Sequence, residues 1–260
     1  MRLQREGVSG NLFPKRTKHV IIQAGKLAHD FVSGVLDLVY PPYCLTCGKA
    51  GEDYFCPECE EKIDVIPPPV CQKCGTPSES FHCPDCRDRE FAFAFEFARG
   101  AATFDGVLRE AIHALKYQSR VVMAEPLGAI MSRCFPTTHI AGKVDLAIPI
   151  PIHKSRLVER GFNQATELAR VLCKRTGLPL DASVLYKRRN TRPQAYLPFE
   201  ERLINLEGAF AVRHPERIQG QRILLIDDVM TTGCTLHEAA RTLREAGSGQ
   251  VIAYTLARAI

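Results

Sequence analysis

No apolar run in these 260 residues approaches the roughly 20 needed for a helix to cross a bilayer, which argues against an integral membrane protein. Neither G-x-G-x-x-G nor G-x-x-x-x-G-K-[ST] occurs, so dinucleotide-binding and P-loop readings lack their main signature. The N-terminus is basic (Arg2, Arg5, Lys15, Arg16, Lys18), but Lys26, His29 and Asp30 interrupt its apolar part. A secretory signal would carry a cleaner hydrophobic segment and a small-residue cleavage site, so the cytoplasm is the expected location. Aromatic residues are scarce near the main cationic stretch, where only Tyr186 and Tyr196 lie close enough to stack on bases. The net charge of +5 and pI near 8.6 are compatible with anionic ligands without demanding them.

Cysteine is what the chain has in excess. Eight of its 11 cysteines fall into two sets, Cys44, Cys47, Cys56, Cys59 and Cys71, Cys74, Cys83, Cys86, each reading CxxC, eight residues, CxxC. Adding 27 to any number of the first set gives its counterpart in the second, and Gly48/Gly75 and Pro57/Pro84 repeat with them. This is an internal duplication. Two CxxC pairs offer four thiolates to one zinc, and closing such a site supplies folding energy to a segment with little core. Two structural zinc sites are therefore expected. Disulfides would need an oxidising compartment, for which there is no export signal. The repeat favours ligation in tandem, while spacing leaves an interleaved arrangement open. Eight acidic residues against Lys49, Lys62 and Lys73 between Cys44 and Cys86 argue against this module as a main DNA-contacting surface. Cys134 and Cys173 read as small buried residues.

Residues 1–19 read as a flexible tail, 20–40 as an amphipathic helix, 41–90 as the zinc module and 91–260 as a larger domain. Phe-Ala alternation over 91–104 predicts strands. Helices are expected over 107–117 and 122–134, with Lys116 read as solvated and Tyr117 as packed. A strand at 144–151 stops at its prolines. It leads into a loop at 152–161 carrying Lys154, Arg156 and Arg160, then a helix at 162–175: a second anion-binding unit. The cationic segment 187–194, with Arg188, Arg189 and Arg192, is short of apolar anchors and expected to be mobile until an anion orders it. Strands alternating with helices give an α/β domain with a mostly parallel sheet.

The most informative stretch is Ile223–Thr235, ILLIDDVMTTGCT. Four apolar residues make a buried parallel strand. Asp227 and Asp228 follow, then Val229 and Met230, then Thr231, Thr232, Gly233, Cys234 and Thr235, then a helix. The unpaired amides of a helix N-terminus, with hydroxyls and a glycine before them, cradle phosphate. The two carboxylates repel phosphate, and suit sugar hydroxyls or a magnesium ion shared with phosphates. The stretch reads as a site for a phosphorylated sugar. Cys234 fits as a small side chain beside the loop.

This stretch resembles the thirteen-residue PRPP (5-phosphoribosyl 1-diphosphate) motif of type I phosphoribosyltransferases. With the cysteine module, Leu115-Lys116-Tyr117, Ile150-Pro151, Glu159 to Ala165, Arg192-Pro193-Gln194, Glu201-Arg202, Asn205, Gly208-Ala209-Phe210 and Thr255 to Arg258, the chain resembles the ComF family of bacterial competence proteins. The resemblance implies a phosphoribosyltransferase-like fold behind a double zinc ribbon, PRPP binding with magnesium, and an association with DNA uptake. It assigns the ribose 2′ and 3′ hydroxyls to Asp227 and Asp228 and the 5′-phosphate to the threonine loop. Pyrophosphate would meet the 153–160 loop (His153, Lys154, Arg156, Arg160) with Arg188, Arg189 or Arg192 closing over it. The acceptor is left undefined. Two alternatives stand beside the transferase: a PRPP-binding regulator or adaptor without turnover, and a protein that holds single-stranded DNA on its basic loops, with DNA-uptake proteins as further partners.

Overall fold

The structure, a computed structural model, describes residues 43–51, 53–88, 92–117, 120–136, 140, 142–192 and 199–260. The expected tail at 1–19 and helix at 20–40 lie outside the described residues. In chain order the elements are α1 (Pro57–Glu60), α2 (Pro84–Arg87), β1 (Ala98–Thr103), α3 (Gly106–Tyr117), α4 (Ala124–Arg133) and β2 (Leu146–Pro149). Then come α5 (Lys154–Arg160), α6 (Gln164–Thr176), β3 (Leu185–Lys187), α7 (Phe199–Leu206), β4 (Phe210–Val212), β5 (Ile223–Met230), α8 (Cys234–Glu245) and β6 (Val251–Arg258).

A parallel sheet in the order β1-β6-β5-β2 forms the centre. Its inner strands are apolar because both of their faces are covered. On β5, Leu224 and Ile226 join a core with α3, α4 and α6. Ile223 and Leu225 point the other way, into a core with α8, β3 and β4. This is the period of two expected of a strand. Helices α4 and α6 approach closely at Gly128, where a Cβ would come within 2.5 Å of Val171. The exposed edge of β1 is covered by the segment joining the two cysteine units: Val65 pairs with Ala102, and Thr103 N–H donates to the Asp64 carbonyl at 2.8 Å. β3 and β4 form a separate antiparallel pair beside the main sheet.

Three expectations are corrected. Of the Phe-Ala alternation, only Ala98–Thr103 is strand. Upstream, Phe93 and Phe95 are buried and stack at 4.5 Å, while the carbonyls of Phe95 and Glu96 accept from Lys73 Nζ of the second cysteine unit. That unit occupies the place a neighbouring strand would take. The basic stretch after β2 is helical over Lys154–Arg160, capped by His153 and ended by Gly161 at φ 81°. Strand β5 runs on through the acidic pair to Met230, because β6 pairs with it as far as Arg258.

Candidate functional site

Parallel strands place their carboxyl ends on one side of the sheet, where ligands gather. β2 and β5 are neighbours, Pro149 opposite Ile226, so the segments that follow them open onto one cleft of about 430 Å³. Asp227 and Asp228 both line it. The Asp228 amide donates to Asp227 Oδ1 at 2.9 Å, which fixes one carboxylate against the next residue's backbone. Lys116, at the end of α3, reaches Asp228 Oδ2 at 2.7 Å and lines the same cleft. The reading of Lys116 as solvated is thereby overturned: its side chain is 21% exposed and its charge is spent on the acidic pair. Burial, and then the charge of Asp228, push the Asp227 carboxyl well above the usual range, against the pull of Lys116, the Asp228 amide and Lys187.

The loop 231–235 closes a second, smaller space bounded by Asp227 and residues 229–236. Gly233 is the N-cap of α8 with φ 83°. An L-residue there would be strained, and its Cβ would sit 2.9 Å from Met230 Cε and 3.0 Å from the Phe93 ring. Cys234 is buried beneath the loop and takes the Thr232 hydroxyl at 3.2 Å.

The predicted cations separate into two groups. His153, Arg156, Arg160 and Arg192 line the cleft, and so does Lys187, the first residue of the cationic segment 187–194. Burial pulls the Lys187 ammonium below its ordinary range, with Asp227 opposing. Lys154 is exposed and is not part of the lining. Arg188 and Arg189 do not face the cleft either. Arg188 Nε donates to the Gly208 carbonyl at 2.7 Å, and Arg189 Nη2 donates to the carbonyls of Glu207 at 2.6 Å and Asn205 at 3.1 Å. They satisfy the acceptors left over at the end of α7. Asn205 also clamps Arg192, donating to its carbonyl at 3.1 Å and accepting its amide at 3.2 Å. Arg188, Arg189 and Arg192 are thus tied to residues 205–208 at the end of α7; Pro193 and Gln194 lie outside the described residues. His153 Nδ1 accepts the Ser155 amide at 3.3 Å, a capping role.

Gln164, the first residue of α6, lines the cleft and was not singled out from sequence. It is only 2% exposed, and its Nε2 has no hydrogen-bond partner among the described residues.

The eight cysteines gather in tandem. Cys44, Cys47, Cys56 and Cys59 form one cluster and Cys71, Cys74, Cys83 and Cys86 another, the sulfurs of each lying within 4.8 Å of one another. Two four-thiol clusters of this size are consistent with two tetrahedral zinc sites. Among the described residues no other group of cysteine, histidine and carboxylate side chains is so placed, and no helix is long and apolar enough to cross a membrane.

Comparison with known proteins agrees with both halves. Residues 35–88 match the double zinc ribbon domain family, and residues 158–260 match the phosphoribosyl transferase domain family. The competence protein ComFC of Bacillus subtilis is 33% identical over 165 residues, 62% of this chain and 63% of that protein. Competence protein F of Haemophilus influenzae is 32% identical over 123 residues, 47% of this chain and 54% of that protein. The DNA utilization protein YhgH of Escherichia coli K12 is 30% identical over 154 residues, 57% of this chain and 66% of that protein. In each case the match spans less than two thirds of the relative's own length. Four-cysteine clusters in tandem, a parallel sheet carrying the acidic pair before a threonine loop, and these relatives agree: the chain belongs to the ComF/YhgH family, with a double zinc ribbon and a phosphoribosyltransferase domain.

Proposed function

We propose that the cleft binds PRPP with magnesium and transfers its phosphoribosyl group to an acceptor, releasing pyrophosphate. The observation that carries this reading is the juxtaposition at the end of β5. Two carboxylates face the cleft, an N-terminal helix loop follows at once, and Arg156, Arg160, Lys187 and Arg192 line the cleft around them.

In this reading Asp227 and Asp228 accept the ribose 2′ and 3′ hydroxyls. Thr231, Thr232, Gly233, Cys234 and Thr235 enclose the 5′-phosphate, with Val229 and Met230 leading into the loop. The cleft cations meet the pyrophosphate. Asp228 is already paired with Lys116, and Asp227 accepts the Asp228 amide, so the pair is no ready-made cation cage. That suits magnesium, which keeps ligand oxygens and water in its shell and takes one or two carboxylates at most. When bound it neutralises pyrophosphate charge. The acceptor's lone pair attacks the anomeric carbon as the bond to the pyrophosphate oxygen breaks. Pyrophosphate leaves with that electron pair, and the acceptor gives up a proton. The chain's contribution is positioning and charge neutralisation. The thiol clusters would each hold one zinc as a structural ion.

Calorimetry with PRPP and magnesium on the wild type and on Asp227→Ala/Asp228→Ala tests the site, and equal affinity ends the reading. Pyrophosphate release across nucleobases and amines separates a transferase from a PRPP-binding adaptor. The relatives' names point to competence and DNA utilization, and a role in handling incoming DNA is proposed on that ground. A continuous backbone track on the basic residues is less well supported, since Arg188 and Arg189 are engaged by carbonyls.

A further inference from the structure

The two cysteine units repeat in sequence but dock on opposite faces of the sheet. Cys44, Phe55, Cys56 and Cys59 join the core with α3 and α4. Cys71, Cys74 and Cys83 join the core that backs the phosphate loop, together with Phe93, Met230 and Cys234. The repeat offset of 27 pairs Lys49 of the first unit with Thr76 of the second, and here the units diverge. Lys49 makes an exposed ion pair with Glu58 inside its own unit. The Thr76 hydroxyl lies 3.3 Å from Cys74 Sγ and accepts from Arg258 Nη2 at 2.8 Å.

Arg258 ends β6 and is 6% exposed. Its other terminal nitrogen donates to the Met230 carbonyl at 3.2 Å and to the Thr231 carbonyl. A trans peptide directs its C=O and the N–H of the next residue to opposite sides. Holding the carbonyls of Met230 and Thr231 on a buried guanidinium therefore turns the amides of Thr231 and Thr232 away from Arg258. It also keeps two carbonyl dipoles from facing an anion in the loop.

We infer that Arg258 is a positioning residue which, through Thr76, makes the anion affinity of the 231–235 loop depend on the integrity of the second cysteine cluster more than on that of the first. The inference rests on the PRPP reading for its ligand, but the geometry of the loop can be followed without one.

The experiment uses the full chain with its metal. Thr76→Val keeps the side-chain shape and removes the hydroxyl; Thr76→Ser restores it; Lys49→Ala changes the matching position of the first unit. Three quantities are measured: zinc per chain, affinity for PRPP with magnesium, and amide hydrogen exchange over 231–236. Thr76→Val is expected to keep two zincs, to lose about tenfold in affinity, the order of one hydrogen bond to a charged group, and to exchange faster at 232–235. Thr76→Ser and Lys49→Ala are expected to match the wild type. Cys86→Ser is expected to weaken binding more than Cys59→Ser, its counterpart in the repeat. Wild-type affinity and exchange in Thr76→Val overturn the inference, as does an equal loss on damaging either cluster. Should the wild type fail to bind PRPP, the proposed function falls, and amide exchange in Thr76→Val alone decides whether the relay exists.

Discussion

Lys116 Nζ lies 2.7 Å from Asp228 Oδ2, so the last turn of α3 neutralises half of the acidic pair at the end of β5. Only 10% of the Asp228 side chain is exposed, and Asp227 stands next to it. Lys116→Met would leave the Asp228 carboxylate, next to Asp227, without that cation. The pair is neither fully buried nor at the surface, so a cost of about 2 kcal/mol at neutral pH is expected. Urea unfolding at several pH values checks this: the deficit should shrink towards acid pH, where there is less carboxylate charge for a cation to offset. A deficit that stays constant with pH would mean lost packing, not lost charge.

Asp227 gives a second pH signature. Its carboxyl is pushed up to about 8 from the ordinary 3.8, first by burial and then by the charge of Asp228. A carboxyl raised in the folded state binds its proton more tightly there than in the unfolded chain. Its contribution to stability is therefore fullest below 3.8 and is lost as pH rises through about 8. Asp227→Asn should flatten the fall in stability over that window. If magnesium and PRPP bind the ionised pair, binding near neutral pH also releases a proton. The calorimetric heat should then vary with the ionisation enthalpy of the buffer in the wild type and not in Asp227→Asn. A buffer-independent heat in the wild type would remove the coupling between ligand and proton.

What the sequence made legible follows from the range of the forces involved. The cysteine spacing specified both clusters, since four thiols within a short segment have few ways to meet. The apolar run ILLI and its acidic end specified the central strand and the site's floor, because a buried parallel strand leaves a contiguous signature. Lys116 was misread because its partner is 112 positions away, and only the β5–α3 packing brings them together. Arg188 and Arg189 looked like ligands for an anion; the structure gives them the carbonyls at the end of α7, a local demand that charge counting does not reveal. Thr76 and Arg258, 182 positions apart, carried no signal beyond belonging to a repeat and to a closing TLAR.

The cysteine clusters make a quantitative expectation about metal. Freshly purified chain should hold two zincs, and a single ligand change such as Cys44→Ser should lower the count to one, because the sulfurs cluster in tandem. Structural zinc supplies on the order of 10 kcal/mol of apparent binding energy in small domains, so its loss should unfold the unit concerned. Native mass spectrometry gives the stoichiometry directly. Loss of both ions from one substitution would contradict two independent sites.

Gln164 carries the sharpest opposing expectations. Its Nε2 is buried in the lining of the cleft with no partner among the described residues, and a donor left that way costs about 1–3 kcal/mol. A site that keeps a buried donor without a protein acceptor is less stable than it need be, unless a ligand supplies the acceptor. Gln164→Met is close in volume and has no donor. It should therefore raise the stability of the ligand-free protein by about 1 kcal/mol while weakening PRPP or acceptor binding about tenfold. Thermal unfolding of the free chain and calorimetry with PRPP read the two effects separately. Opposite signs mark Gln164 as a ligand-facing donor, whereas a loss of stability with unchanged affinity would make it a packing residue at the head of α6.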